Sequence, residues 1–558
     1  MSKLARIDSE HIMAGLQPSL PNRTSTLWNE GQNVIFHEQS IQPALGHVPI
    51  IGGTGRRITH LQSNRIDTVP TLFWGDRIGL YSWSERDGVA VRGGPYTGDD
   101  CDQWQIVNWG RQVVATNGVD PLQVFDPALG IFIPLAGTTF ASASIIVRRS
   151  PFLIAMNLSS SGPEDFGDTS IAWCDADNIN SWLSTPGNLA GDFFVRDMES
   201  EIVAGLPLGD DIAFYGTDSM HRLVFRGAPN VFGVERLLEG VGPVGKHAVT
   251  EVRRMHYGFS KKGIFATNGF EYEFIDKPAI HDYIYNDINC DPKVQSGFVA
   301  WNDENEEHVV FFYADETSET NNKCVAFNYR DNNWTIWNIA RTAAENVSVF
   351  NDGITADHYG NIFFQAVSPV TDTANAAPFR ICSEIKISAD YGDTLYGSTG
   401  YGGIGEATHN PLGKACERRC LPGGQACGQV IITEKCLLTN RTRNIPTLSE
   451  SPDVIQLESK DLDFGTNLYL KTLEKIRVEI DPDQEGELVG ELALFVGTRD
   501  ELCDEVIWDG PYEVQKSCPI NLRLTAKYFR VRLEATRNLK QWQISAIDFF
   551  GSVTRSEQ

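Results

Sequence analysis

The stretch TLFWGDRIGLYSWSERDG, residues 71–88, decides the fold class. A short aromatic and aliphatic run ends at Gly75-Asp76. A second run over residues 78–83 ends at Ser84-Glu85-Arg86-Asp87-Gly88. Each run has strand length, and each break is made of residues that favour tight turns, so the pair predicts a β-hairpin. The pattern recurs along the chain. QVVAT (112–116) runs into Asn117-Gly118, LQVF (122–125) into Asp126-Pro127, and residues 211–215 into Gly216. Residues 221–225 run into Arg226-Gly227, and residues 308–313 into an acidic turn. Helical periodicity is scarce, and the chain is expected to be all-β.

The strand groups return every ~40–50 residues, the blade period of a β-propeller. Starts fall near Ile58, Asp102, Ala143, Glu201, Ala248, Ser296 and Glu345. Seven blades are expected, with six and eight also compatible with the spacing. The repeats lack WD, kelch and Asp-box signatures. A row of stacked β-sandwiches is the competing architecture, and the absence of an obvious linker between repeats favours the propeller.

Four segments are expected: an N-terminal arm with a first strand (1–50), the propeller (51–395), a Gly- and Cys-rich insertion or linker (396–445) and a β-sandwich-like C-terminal domain (446–558). In the last, Ile476, Val478 and Ile480 alternate with charged residues. Phe529, Val531 and Leu533 alternate with Tyr528, Arg530 and Arg532, and Trp542, Ile544 and Ala546 with Gln541, Gln543 and Ser545. One dry and one wet face fit an antiparallel sandwich.

The 558 residues carry 41% hydrophobic and 10% aromatic side chains, enough for a large core. The 47 basic and 73 acidic residues leave a net charge of -26. That sign argues against a general grip on nucleic-acid backbone and against docking on an anionic membrane. It suits a wall past which DNA slides without sticking. No apolar stretch reaches membrane-spanning length, so no membrane segment is expected. The N-terminal residues carry Lys3, Arg6, Asp8 and Glu10 without an apolar core, unlike a secretory signal. Synthesis in the cytoplasm of the producing cell is therefore expected.

Candidate chemistry is sparse. Cys416, Cys420, Cys427 and Cys436 lie among Gly and Pro. They are the candidate metal ligands, for structural zinc, although the spacing lacks the CxxC knuckle. Disulfides and free thiols are the alternatives, and no other cofactor is expected. The eleven histidines are scattered, and no HExxH, GxSxG, P-loop or dinucleotide fingerprint occurs. Carboxylates such as Asp175, Asp177, Glu201, Asp210 and Asp211 are too common in this chain to mark a glycosidase pair. No catalytic residue can be named, and the chain is expected not to be an enzyme. Trp334 and Trp337, three positions apart in a predicted strand, should point to opposite faces and pack one toward each neighbouring blade.

Several segments, in order, resemble one family. LPNR (20–23), WNEGQNVIF (28–36) and Gly46 are similar to the opening of tail-hub proteins of short-tailed phages. WCDADNINSW (173–182) with PGNLAG (186–191) resembles a second segment. EIVAG (201–205), SMHR (219–222), GVGPV (240–244), SKKGI (260–264) and YRDNNW (329–334) follow in the family's order. The resemblance covers about residues 15–370, and the Cys-rich insertion and C-terminal domain depart from it. It implies a structural protein of the virion tail, a hub or nozzle also described as a DNA-stabilisation protein. Such a protein forms a homo-hexamer below the portal and the adaptor ring, retains packaged double-stranded DNA and conducts it at ejection. The implied partners are the adaptor, tail fibres or tailspikes, the tail needle or tip, and the translocating DNA. A propeller-based receptor-binding protein is the alternative, and a glycan-active enzyme a more distant one.

Overall fold

In the computed structural model, the described residues are 2–20, 28–44, 46–53, 55–160, 166–346, 348–350, 352–365, 385–387, 430–432, 454–465, 469–480, 492–515, 518–536 and 542–554. The fold is all-β, with many four-stranded antiparallel sheets. Seven of these follow one another along the chain. Six are simple meanders over residues 58–93, 105–134, 140–194, 204–239, 249–274 and 299–337. The seventh takes three strands from Ala343–Glu345, Ile354–Ala356 and Ile362–Gln365, and its fourth from His47–Ile51 near the other end of the chain.

The first strand of every sheet lies against the first strand of the next, and Ala343–Glu345 lies against Ile58–Ile66, so the contacts run in a cycle. The sequence-derived starts fall within three residues of these inner strands, which begin at Ile58, Gln105, Phe140, Ala204, Val249, Val299 and Ala343. The second strands are largely buried on both faces; His308–Tyr313 is buried throughout. Such strands read as continuous hydrophobic runs because neighbouring sheets cover both sides. Separate cores fill the spaces between sheets. Phe73, Trp104 and Phe132 occupy one, and Phe259, Phe298 and Phe311 another. Several hairpins turn on two residues in the left-handed region, including Asp67-Thr68 and Arg253-Arg254. That geometry matches the strand twist even where glycine is absent.

Apart from the two-stranded pair Ile385–Ile387 and Val430–Ile432, the remaining described strands form two facing sheets. One contains Val34–His37, Ser40–Pro43, Ile544–Thr554, Leu470–Ile480 and Ile520–Ala526, with Ser2–Ile7 also paired to Ile544–Thr554. The other contains Trp28–Gln32, Val454–Ser459, Tyr528–Thr536, Leu492–Arg499 and Ile507–Glu513. They share a core that includes Phe36, Leu473, Ile476, Val531 and Phe549. Residues 2–43, expected as an arm, supply four strands of this sandwich, and His47–Ile51 completes the seventh sheet. The exposed Glu and Gln between apolar residues of the arm follow from half-buried pairing with strands distant in sequence. The alternation expected at Trp542-Ile544-Ala546 holds, with all three buried, Gln543 half-buried and Ser545 exposed. The register slips opposite Glu479 and Ile480, and Ile547 and Phe549 continue the core.

Candidate functional site

The inner ends of the sheets converge on a cluster of polar groups. Gly242-Pro243-Val244-Gly245 leads into the fifth sheet and carries Lys246 and His247 inward. The Lys246 ammonium donates to the carbonyls of Gln103 (2.8 Å) and Ser144 (3.0 Å), which belong to the approaches of the second and third sheets. Nε2 of His247 lies 2.8 Å from the Trp104 carbonyl, and its ring lies 4.6 Å from that of His60, tilted by 30°. Gln103 donates to the Ser296 carbonyl, and Arg57 to that of Gly297. Segments from five of the seven sheets therefore meet here.

Burial sets the charge states. It lowers Lys246 to about 8, against a smaller opposing pull from Asp102. Burial and then the Lys246 charge lower His60 to about 3, and the same environment pushes His247 well below its ordinary value. Both imidazoles are neutral at pH 7. The backbone N–H of Ile106 donates to Nδ1 of His60, so each ring has a main-chain partner. The cluster binds sheet to sheet through these hydrogen bonds. The sequence reading treated these histidines as scattered. The signal it could have used is the Gly/Pro-rich segment immediately before an inner strand, which brings backbone close to the axis.

A second convergence joins the sandwich to the sixth sheet. Asn333–Trp337 lies beside Val34–His37. The Asn33 N–H donates to Ile336 O (2.9 Å), Asn333 Nδ2 to Phe36 O (3.1 Å) and the Asn338 N–H to Asn33 Oδ1 (2.7 Å), while the Thr335 hydroxyl donates to Val34 O. Leu16 N–H reaches the Trp334 carbonyl at 2.9 Å. Trp334 packs in the core between the fifth and sixth sheets and Trp337 between the sixth and seventh, as the odd separation predicts. The sandwich also holds a cleft of about 200 Å³ lined by Arg6, His11, Trp28, Asp463, Phe464 and Phe549.

The candidate zinc ligands Cys416, Cys420, Cys427 and Cys436 lie outside the described residues. Among the described residues, no group of three or more His, Cys, Asp or Glu is placed to hold a metal ion. No helix of the described residues is long and apolar enough to cross a membrane.

No protein-family model matches the chain, and no curated protein matches it. Similar solved structures include a chain of the mitotic checkpoint complex, 12% identical, covering 57% of this chain and 94% of its own, with a TM-score of 0.38. Another is the computationally designed Ika8 protein, 10% identical, covering 63% and 100%, with a TM-score of 0.36. Both scores lie below one-half, and the architecture rests on the sheet topology itself.

Proposed function

We propose that this chain is a structural protein of a phage tail. It is a hub or nozzle subunit that forms a homo-hexameric ring below the portal and adaptor, retains packaged DNA and conducts it at ejection. In this reading the seven sheets are the blades of a closed seven-bladed propeller, and His47–Ile51 is the strand that closes it. The observation that carries the reading is the two-part scaffold: a cycle of seven sheets, tied through the sixth to a sandwich that joins strands from residues 2–43 and 454–554. The family-like segments, in family order, give it its context. Lys246, His247 and His60 lie buried where five of the sheets meet, which favours a conduit formed between copies over one through the single chain. Six copies at -26 each carry a charge of -156, and a lumen bearing part of it repels the DNA phosphates.

The test is the mass and shape of the purified chain with and without its head-to-tail adaptor ring, by mass photometry and electron microscopy. A sixfold ring on the adaptor is expected. A chain that stays monomeric with the adaptor, and binds defined glycans on an array, would replace this proposal with the receptor-binding one.

A further inference from the structure

On an acidic chain, one face of the sandwich carries a group of cations. In the six-stranded sheet, Arg6, Asp548 and Arg477 are register partners across three adjacent strands, and Lys3, Phe550 and Lys475 form the neighbouring row. Asn521 pairs with Lys475, so Arg523, two residues on, shares the same outer face. Against these five cations stand Asp548, Glu479 and, at the strand irregularity, Glu474. Asp548 is buried and taken up by Lys3 (2.6 Å) and Arg6, and Glu479 by Arg6 (2.7 Å). Lys475, Arg477 and Arg523 have no carboxylate partner among the described residues. Arg477 and Arg523 are exposed, and Lys475 lies over the half-buried Phe550 ring at 5.9 Å. The centre of the patch is thus Phe550 beside the buried, ion-paired Asp548, and its rim is cationic.

The opposite surface lies on the same chain. Residues 168–211 contain nine Asp and Glu against one basic residue, Arg196. Asp168, Asp177, Asp192, Asp197, Glu199 and Glu201 are exposed. On the outer strand of the third sheet, Gly191–Phe194, Asp192 and Phe194 share a face, and Phe194 is 47% exposed. This edge therefore pairs acid with an exposed aromatic.

We propose that the cationic face of one copy's sandwich docks on the acidic edge between the third and fourth sheets of the next copy. The inference rests on the ring reading above and names its contact. One chain cannot make it within itself. Its sandwich is fixed to the sixth sheet, and the third sheet is three places away, the largest separation a cycle of seven allows. The two patches differ, so the contact is head-to-tail, the type that closes into a ring when the rotation between copies permits. Complementary charge selects the partner and its register.

The test uses the full chain with its adaptor ring. The triple charge reversal Lys475→Glu, Arg477→Glu, Arg523→Glu should weaken ring formation by about 100-fold. Adding Asp192→Lys, Asp197→Lys and Glu199→Lys in the same chain should restore it to within about 10-fold, because the charges are exchanged across the contact. Circular dichroism of each variant shows whether it is folded, and restoration by the second set excludes simple misfolding. Carbodiimide cross-linking of unaltered rings should join Lys475 or Lys3 of one copy to carboxylates within 168–211 of another. Rings that form equally well after the triple reversal overturn this contact and leave the ring reading standing. Failure of the unaltered chain to self-associate on the adaptor overturns both. Binding of duplex DNA that is lost in the triple variant, with ring formation intact, overturns the contact in favour of a phosphate backbone as occupant.

Discussion

Trp334 and Trp337 test the packing logic because they share a strand, a residue type and 3% exposure, yet differ in one atom's surroundings. Trp334 meets Phe327 at 5.0 Å and Phe311 at 6.3 Å between ring centroids, and its Nε1 donates to the Ile275 carbonyl at 3.1 Å. Trp337 lies 5.4 Å from His308, and its buried Nε1 finds no acceptor among the described residues. Replacing either by Ala should cost about 3–5 kcal/mol, the range for a buried large aromatic. Replacement by Phe is more discriminating. Both variants lose similar ring area, so that part cancels. Trp334→Phe also forfeits a hydrogen bond, worth about 1 kcal/mol, whereas Trp337→Phe removes a buried donor whose desolvation costs about 1–3 kcal/mol. Trp337→Phe should therefore be the more stable of the two by about 2 kcal/mol or more. The assay is equilibrium unfolding in urea, comparing midpoints of the same transition, since two bodies need not melt together. Equal costs, or Trp334→Phe being the milder change, would refute the assignment of these two environments.

Three further outcomes are expected. Gly75→Ala should destabilise or misfold the chain, because the new Cβ would stand 2.4 Å from the Trp104 indole, which is fixed by its bond to Asp76 O; soluble yield and thermal melting report this. Thr68→Gly should stabilise by ~1 kcal/mol in denaturant unfolding, since a β-branched residue sits at φ 74° in a two-residue hairpin. Glu345, buried between the seventh and first sheets and raised from 4.5 to about 7 by burial, binds its proton more tightly folded than unfolded. Its penalty is therefore fully present above pH 7 and disappears as pH falls through 7 toward 4.5. Glu345→Gln should remove that slope and add about 3 kcal/mol at pH 8; a wild-type-minus-variant difference that is flat from pH 5 to pH 8 would contradict the burial argument.

The succession of sheets was legible because six of the seven are local: their strands pair with their sequence neighbours, and turn residues such as Asn117-Gly118 mark the breaks. The seam was not, because His47–Ile51 finds its partner Ile362–Gln365 some 300 residues away, and alternation within a strand does not name a distant partner. The same limit hid the sandwich membership of Trp28–Gln32 and Val34–His37. Ile476, Val478 and Ile480 announced a two-faced strand correctly, as did Trp542, Ile544 and Ala546, but the register irregularity after Ile544, beyond which Ile547 and Phe549 join the core, left no mark in the alternation. The axial cluster escaped for a different reason. Lys246 and His247 are ordinary residues in a loop, and only the convergence of five sheets strips them of water.

The two long-range closures support one another. Pairing His47–Ile51 with Ile362–Gln365 closes a loop of about 310 residues, which costs about 5 kcal/mol of chain entropy. The sandwich, pairing Trp28–Gln32 with Val454–Ser459, would close an even longer loop on its own. Once the seam is made, the chain length between the two junctions falls from over 400 to about 100 residues, and the second closure costs about 1 kcal/mol less. Direct bonds add to this coupling, because Asn33, Val34 and Phe36 sit in the sandwich and contact the sixth sheet beside the seam. The sandwich therefore acts as a clamp on the seam, where strands distant in sequence complete the seventh sheet. Amide exchange in Ile362–Gln365 should accordingly slow or quicken with sandwich stability. A sandwich-core change such as Leu494→Ala, at a fully buried position, should speed exchange in that seam strand while Phe152–Ser160 of the third sheet keeps its protection. If both strands lose protection equally, the ring unfolds as one unit and the clamp has no separate role; if neither changes, the two closures are independent.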